Sequence, residues 1–224
     1  MPELLDLSPA EDNRRMLTRP VAKVVACVLL MMALLAAKDF APPPAKPAAT
    51  YPAHETHSNE HVTVAIDPYD TPQKLEGAKV KYLEHGILPV RLIVTNEGDT
   101  PISLTQFGVQ LITASKDKVD PASVNDVIRR IAPSVKRPDE PRKNPFPLPK
   151  IGSAPPQRIK SDQSDEIESM FFRAKAVEPH GTQAGFLFFD MNGLDAGAAG
   201  ARLYVEGLSN ANGQELMYFE VPVK

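Results

Sequence analysis

Three of the chain's five histidines, His54, His57 and His61, fall within eight residues beside Glu55 and Glu60. Imidazoles next to carboxylates form a donor set for zinc, copper or nickel, so this cluster is the candidate metal site. Within it, His57-Ser58-Asn59-Glu60-His61 has the spacing of the inverted zincins, in which two histidines on one helical face hold zinc and the glutamate activates water. That chemistry needs a stable helix and a third ligand. Here the pentapeptide lies between a proline-rich stretch and the β-branched run from Val62, so the spacing is read as accidental. The favoured expectation is polar linker histidines and no resident cofactor, with zinc or copper at His54, His57 and His61 as the alternative.

Other polar constellations are weaker. Asp190, Asn192, Gly193 and Asp195 offer oxygen ligands at a turn, but an EF-hand places its glycine sixth and closes with a glutamate. An Asx and glycine turn explains them better. His85-Gly86 and His180-Gly181 also read as turns, and neither lies near a serine or cysteine in a nucleophile motif. No catalytic base is assigned, and the chain is expected not to be an enzyme.

The strongest candidate for contact is a proline-rich basic stretch at residues 133–160. It holds eight prolines in residues 133–156, and its seven Lys and Arg residues against Asp139 and Glu140 leave +5 on a chain of net −3. Lys136, Arg137, Arg142, Lys143 and Lys150, with Phe146 and Leu148 as apolar anchors, are the expected partner-binding residues. Such a stretch forms a long surface loop suited to an acidic protein surface, anionic lipid headgroups or a cell-surface polymer. Nucleic acid is not an expected partner, because the overall charge is acidic and there is no tryptophan to help build a stacking platform.

The elements that carry these residues begin with an apolar run, VVACVLLMMALLAA, at residues 24–37. Arg14, Arg15, Arg19 and Lys23 precede it, which keeps the N-terminus cytoplasmic and sends the rest of the chain across the membrane. Fourteen helical residues cover about 21 Å of an apolar core about 30 Å thick, so a span borrows from residues 20–23 with the Lys23 stem reaching outward. An uncleaved anchor is favoured over a cleaved signal peptide, whose small-x-small site is poorly matched at Leu35-Ala36-Ala37. Cys27 sits inside the run rather than after it, unlike a lipidation site, and Asn13-Arg14-Arg15-Met16-Leu17 matches a twin-arginine signal only loosely. As Cys27 is the single cysteine, the rest of the chain has no disulfide or thiol chemistry.

The expected organisation is a cytoplasmic segment at 1–20, a membrane anchor or signal at 21–38, a Pro/His-rich tether at 39–60 and one domain at 61–224. Alternating residues mark strands at 61–66, 88–94 and 107–111, with further strands at 171–177, 185–190, 202–208 and 215–223. Pro89 points to an edge or a strand beginning. A short helix is expected at 121–131, with Asp120 as its cap and Val124, Val127, Ile128 and Ile131 on one face, and a second helical turn at 165–170.

LPVRLIVTNEGDTPISL at 88–104 and FFRAKAVEPHGTQAGFLFFD at 171–190 resemble hairpins of bacterial extracytoplasmic immunoglobulin-like domains. The likeness covers about a sixth of the chain and implies a fold, not an activity. The expected fold class is therefore all-β: a single antiparallel immunoglobulin-like β-sandwich with one short helix and a long Pro-rich loop, preceded by an N-terminal transmembrane helix. Together these features describe a non-enzymatic binding or assembly module of the bacterial envelope. It would sit in the inner membrane through residues 21–38, with its domain in the periplasm and an envelope protein or surface polymer as partner. A periplasmic metal-binding protein is the alternative.

Overall fold

Every residue of Ile87–Asn96 is buried, which a ten-residue strand achieves only if both of its faces are covered. The computed structural model describes residues 40–132, 159–192 and 199–223. Its strands in chain order are β1 (Ala53–His57), β2 (Val62–Pro68), β3 (Ile87–Asn96), β4 (Ile102–Ser103), β5 (Gly108–Ile112), β6 (Lys118–Val119), β7 (Ala176–Val177), β8 (Thr182–Asp190), β9 (Arg202–Glu206) and β10 (Phe219–Pro222). All ladders are antiparallel, in two four-stranded sheets of order β1-β2-β3-β8 and β10-β9-β5-β6, with β4 and β7 as a separate pair.

The two large sheets share one core. Val62, Val64 and Ile66 of β2, Leu88, Val90, Leu92 and Val94 of β3, and Leu187 and Phe189 of β8 pack with Leu111, Leu203, Val205, Phe219 and Val221 of the other sheet. Strand alternation sends the intervening residues to the opposite face. There Ile87, Phe186 and Phe188 meet Tyr69, Tyr82 and two helices, α1 (Val124–Ile131) and α2 (Ser161–Met170), through Val127, Ile131, Ile167 and Met170. The far end of this face is covered by Ala48 and Tyr51 over Ala65 and Ile93.

Several boundaries differ from expectation for local reasons. Helix α1 starts three residues later and is capped by Ser123, not Asp120: the Ser123 hydroxyl accepts the Asp126 N–H at 3.2 Å and donates to the Asp126 carboxylate at 2.6 Å. Asp120 instead accepts from the Gln110 amide at 3.0 Å. Helix α2 begins at Ser161, four residues before the expected turn, because its buried face is only Glu166, Ile167 and Met170 and gives little periodic signal. The expected strand at 171–177 shrinks to Ala176–Val177, since here the chain crosses between layers: Phe171 packs beside the helices and Phe172 enters the inter-sheet core. Gly185 permits that crossing, because a Cβ there would lie 2.6 Å from the Phe172 Cα.

Pro89 stands near the beginning of β3 although that strand is flanked on both sides. Its carbonyl accepts the Tyr69 N–H at 2.8 Å, so its own nitrogen faces the β2 side, one position past the Pro68–Val90 pair, where it interrupts no β2 pairing. Part of the stretch expected as tether belongs to the folded unit. Ala48 is fully buried with its N–H on the Thr95 hydroxyl at 2.8 Å, and β1 pairs with β2 from Ala53–Ile66 to His57–Val62. Among the described residues no helix is long and apolar enough to cross a membrane, and residues 21–38 lie outside them.

Candidate functional site

The histidine cluster is built on β1 and the turn after it. His54 and His57 are three residues apart on a strand with period two, so they face opposite sides. The His54 Nδ1 lies 2.6 Å from the Tyr51 carbonyl oxygen, while His61 occupies the turn at φ 55° and its carbonyl accepts the Glu97 N–H at 2.7 Å. The structure therefore does not bring His54, His57 and His61 together, and the His-x-x-Glu-His spacing lies on a strand end and turn instead of a helical face. Among the described residues no group of three or more His, Cys, Asp or Glu side chains is arranged to hold a metal ion.

His57 has a different set of neighbours. Its ring stacks on Phe219 at 4.0 Å and 14°, with Nδ1 3.0 Å from Glu60 Oε2 and Nε2 3.3 Å from Glu55 Oε1. The other oxygens of the same carboxylates reach across to the second sheet: Glu60 Oε1 accepts the Met217 N–H at 2.9 Å, and Glu55 Oε2 accepts the Glu220 N–H. β1 and β10 are the edge strands on this side of their sheets. Two carboxylates flanking one imidazole thus clasp the two edges and occupy donors that an open strand would expose.

The remaining polar candidates are also engaged. Asp190 Oδ1 accepts from the Asn192 N–H at 3.0 Å and faces Arg130 Nη2 at 3.4 Å, as an Asx turn does; Gly193 and Asp195 lie outside the described residues. His180 pairs with Asp99 at 3.1 Å on the surface, and the His85 carbonyl accepts from Arg130 Nε at 3.3 Å. The expected partner-binding residues Lys136, Arg137, Arg142, Lys143, Phe146, Leu148 and Lys150 lie outside the described residues.

Several buried ionisable groups were not singled out by sequence, among them Glu166, Tyr82 and Arg91. Glu166 of α2 accepts from the Lys79 N–H at 2.7 Å, the Val80 N–H at 3.2 Å and the Tyr82 hydroxyl at 3.1 Å. Burial, reinforced by the Glu166 charge, raises the Tyr82 phenol well above its ordinary range. A cleft of about 150 Å³ lined by Pro72, Leu75, Ala78, Val80, Lys81, Tyr82, Leu83 and Glu84 adjoins this anchor. The Glu166 carboxylate does not line it and is already engaged by protein donors. Arg91 is 6% exposed on the helix-covered face beside Tyr69, and its Nη1 has no partner among the described residues.

The opposite surface offers a different chemistry. Alternation along Arg202–Glu206 and Phe219–Pro222 buries Leu203, Val205, Phe219 and Val221 and turns Arg202, Tyr204, Glu206, Glu220 and Pro222 outward. Tyr204 meets Tyr218 with ring centroids 5.0 Å apart, and Arg202 pairs with Glu220 at 2.7 Å. Tyr218 is 46% exposed and its neighbour Met217 64%, the large apolar side chains left exposed among the described residues. Partial desolvation and the nearby Glu206, Tyr218 and Glu215 groups raise the Tyr204 phenol. This face was legible in one respect: residues 216–219, Leu-Met-Tyr-Phe, are four consecutive apolar side chains, which a strand cannot bury on one side.

Compared with known proteins, the chain matches no family model, no curated protein and no solved structure at a significant level.

Proposed function

We propose that the chain is a non-enzymatic binding or assembly module of the bacterial envelope, an immunoglobulin-like β-sandwich held at the inner membrane by residues 21–38 and facing the periplasm. The observation that carries the binding role is the exposure of Met217 and of Tyr218, whose ring meets Tyr204 at a tilt of 34°, on a domain whose other large apolar side chains are at least partly covered among the described residues. Two antiparallel sheets sharing one core support the immunoglobulin-like reading. The basic residues before the apolar run support the orientation. Lys136, Arg137, Arg142 and Lys143, with Phe146, Leu148 and Lys150, supply a second, cationic contact on this reading.

The test is crosslinking in intact cells with the full chain, followed by mass spectrometry of recovered proteins and of the chain's own N-terminal peptide. Specific envelope proteins on a chain that retains residues 24–37 are expected. A cleaved chain recovered without partners contradicts the proposal.

A further inference from the structure

We propose that the outward face of β9 and β10, centred on Tyr204 and Tyr218, docks a lysine- and arginine-bearing peptide segment of a protein partner; this rests on the binding-module reading and names the partner's chemistry. Three features of the face select that occupant.

The first is charge. Around the two tyrosines Glu206, Glu215 and Glu220 stand against Arg202, which leaves −2, and Arg202 is already engaged with Glu220; the next cation on the same outward row, Lys118, lies two strands away. Glu206, which also accepts the Tyr204 hydroxyl, and Glu215 are the carboxylates not paired with a cation, and an anionic lipid or polymer surface would be repelled here. The second is the pair of tyrosine rings. Tyr218 is nearly half exposed, and an aromatic face flanked by carboxylates attracts a guanidinium or ammonium group while contacting its apolar stem. Met217 adds a flexible, polarisable side chain that adapts to such stems.

The third feature is the state of the β10 edge, which decides between docking on the face and addition of a strand. The Glu220 N–H points away from β9 but is taken by Glu55, and Pro222, the next residue pointing that way, has no N–H. The Met217 N–H is taken by Glu60. An incoming strand finds few free donors, so recognition falls to the side chains of the face.

The test is fluorescence anisotropy with the full chain in detergent micelles, using labelled octa-arginine, with octa-glutamate as the opposite-charge probe. Octa-arginine is expected to bind in a way that depends on Tyr218, whereas any octa-glutamate binding, through the basic residues of 133–160, is expected to be the same in Tyr218→Ser. Tyr218→Ser and the double variant Glu206→Gln, Glu215→Gln are each expected to weaken binding by about fivefold or more. Tyr218→Phe, which keeps the ring, is expected to bind as the unaltered chain does, so loss caused by misfolding is separable from loss of the contact. Equal binding by the unaltered chain and Tyr218→Ser overturns the proposal, as does failure of octa-arginine to bind. Sedimentation that finds self-association abolished by Tyr218→Ser assigns the face to a second copy and likewise overturns it. In-cell crosslinking separates the two levels: partners retained equally by Tyr218→Ser reject this inference alone, whereas no partners on the unaltered chain reject the binding module itself.

Discussion

Glu166 is a carboxylate nearly removed from water that accepts three hydrogen bonds, two from the backbone of residues 79–80 and one from Tyr82. Its worth is best judged by what its removal leaves behind. Glu166→Ala strands three donors in a region that excludes solvent, and the expected loss is about 3 kcal/mol of stability by denaturant unfolding. The same anchor predicts the alkaline behaviour. The Tyr82 phenol is raised by burial and by Glu166, and Tyr69 is raised by burial with a smaller contribution from Asp67. In the unfolded chain both ionise near pH 10, while the folded state keeps the proton; the unfolded state then binds fewer protons, and stability falls as pH rises above about 10. Unfolding midpoints measured from pH 8 to 11 are expected to drop at the alkaline end, and less steeply in Tyr82→Phe. An unchanged slope in that variant counts against the burial argument.

At the scale of elements, the clasp between β1 and β10 makes a separate prediction. Glu55 and Glu60 bridge to the Glu220 and Met217 N–H groups, and His57 stacks on Phe219 between them. Replacing both carboxylates by alanine is expected to raise amide exchange at residues 217–221 while leaving β3 protected, at about 1 kcal/mol for each lost contact. Exchange rising evenly across both sheets would mean that the clasp does not act locally. What the sequence disclosed at this scale follows from periodicity. β3 and the inward face of α1 were legible because Leu88, Val90, Leu92 and Val94, and likewise Val127 and Ile131, repeat at the spacing of their elements. β1 was hidden because its outward and half-buried positions are His54, Glu55, Thr56 and His57, and a proline-rich stretch precedes it. Its membership depends on pairing with β2, a long-range fact that local composition does not carry. The tyrosine pair was hidden for a similar reason, since Tyr204 and Tyr218 meet only when β9 and β10 pair.

At the scale of the whole domain, the contact chemistry is divided. α1 and α2, from which the basic segment departs and to which it returns, cover one face of the β1-β2-β3-β8 sheet, and the sheet bearing Tyr204 packs on its other face. Tyrosine and carboxylate chemistry lies on the sheet face away from the helices, and burial elsewhere leaves Met217 and Tyr218 as the apolar exception among the described residues. The most direct measurement is site-specific photocrosslinking in intact cells, with benzoylphenylalanine at Tyr218 and, as a control on the helix side, at the exposed Glu168. The account predicts a discrete envelope protein crosslinked from position 218 on a chain that keeps residues 24–37, and not that protein from position 168. The same products from both positions, or none from position 218, would contradict it.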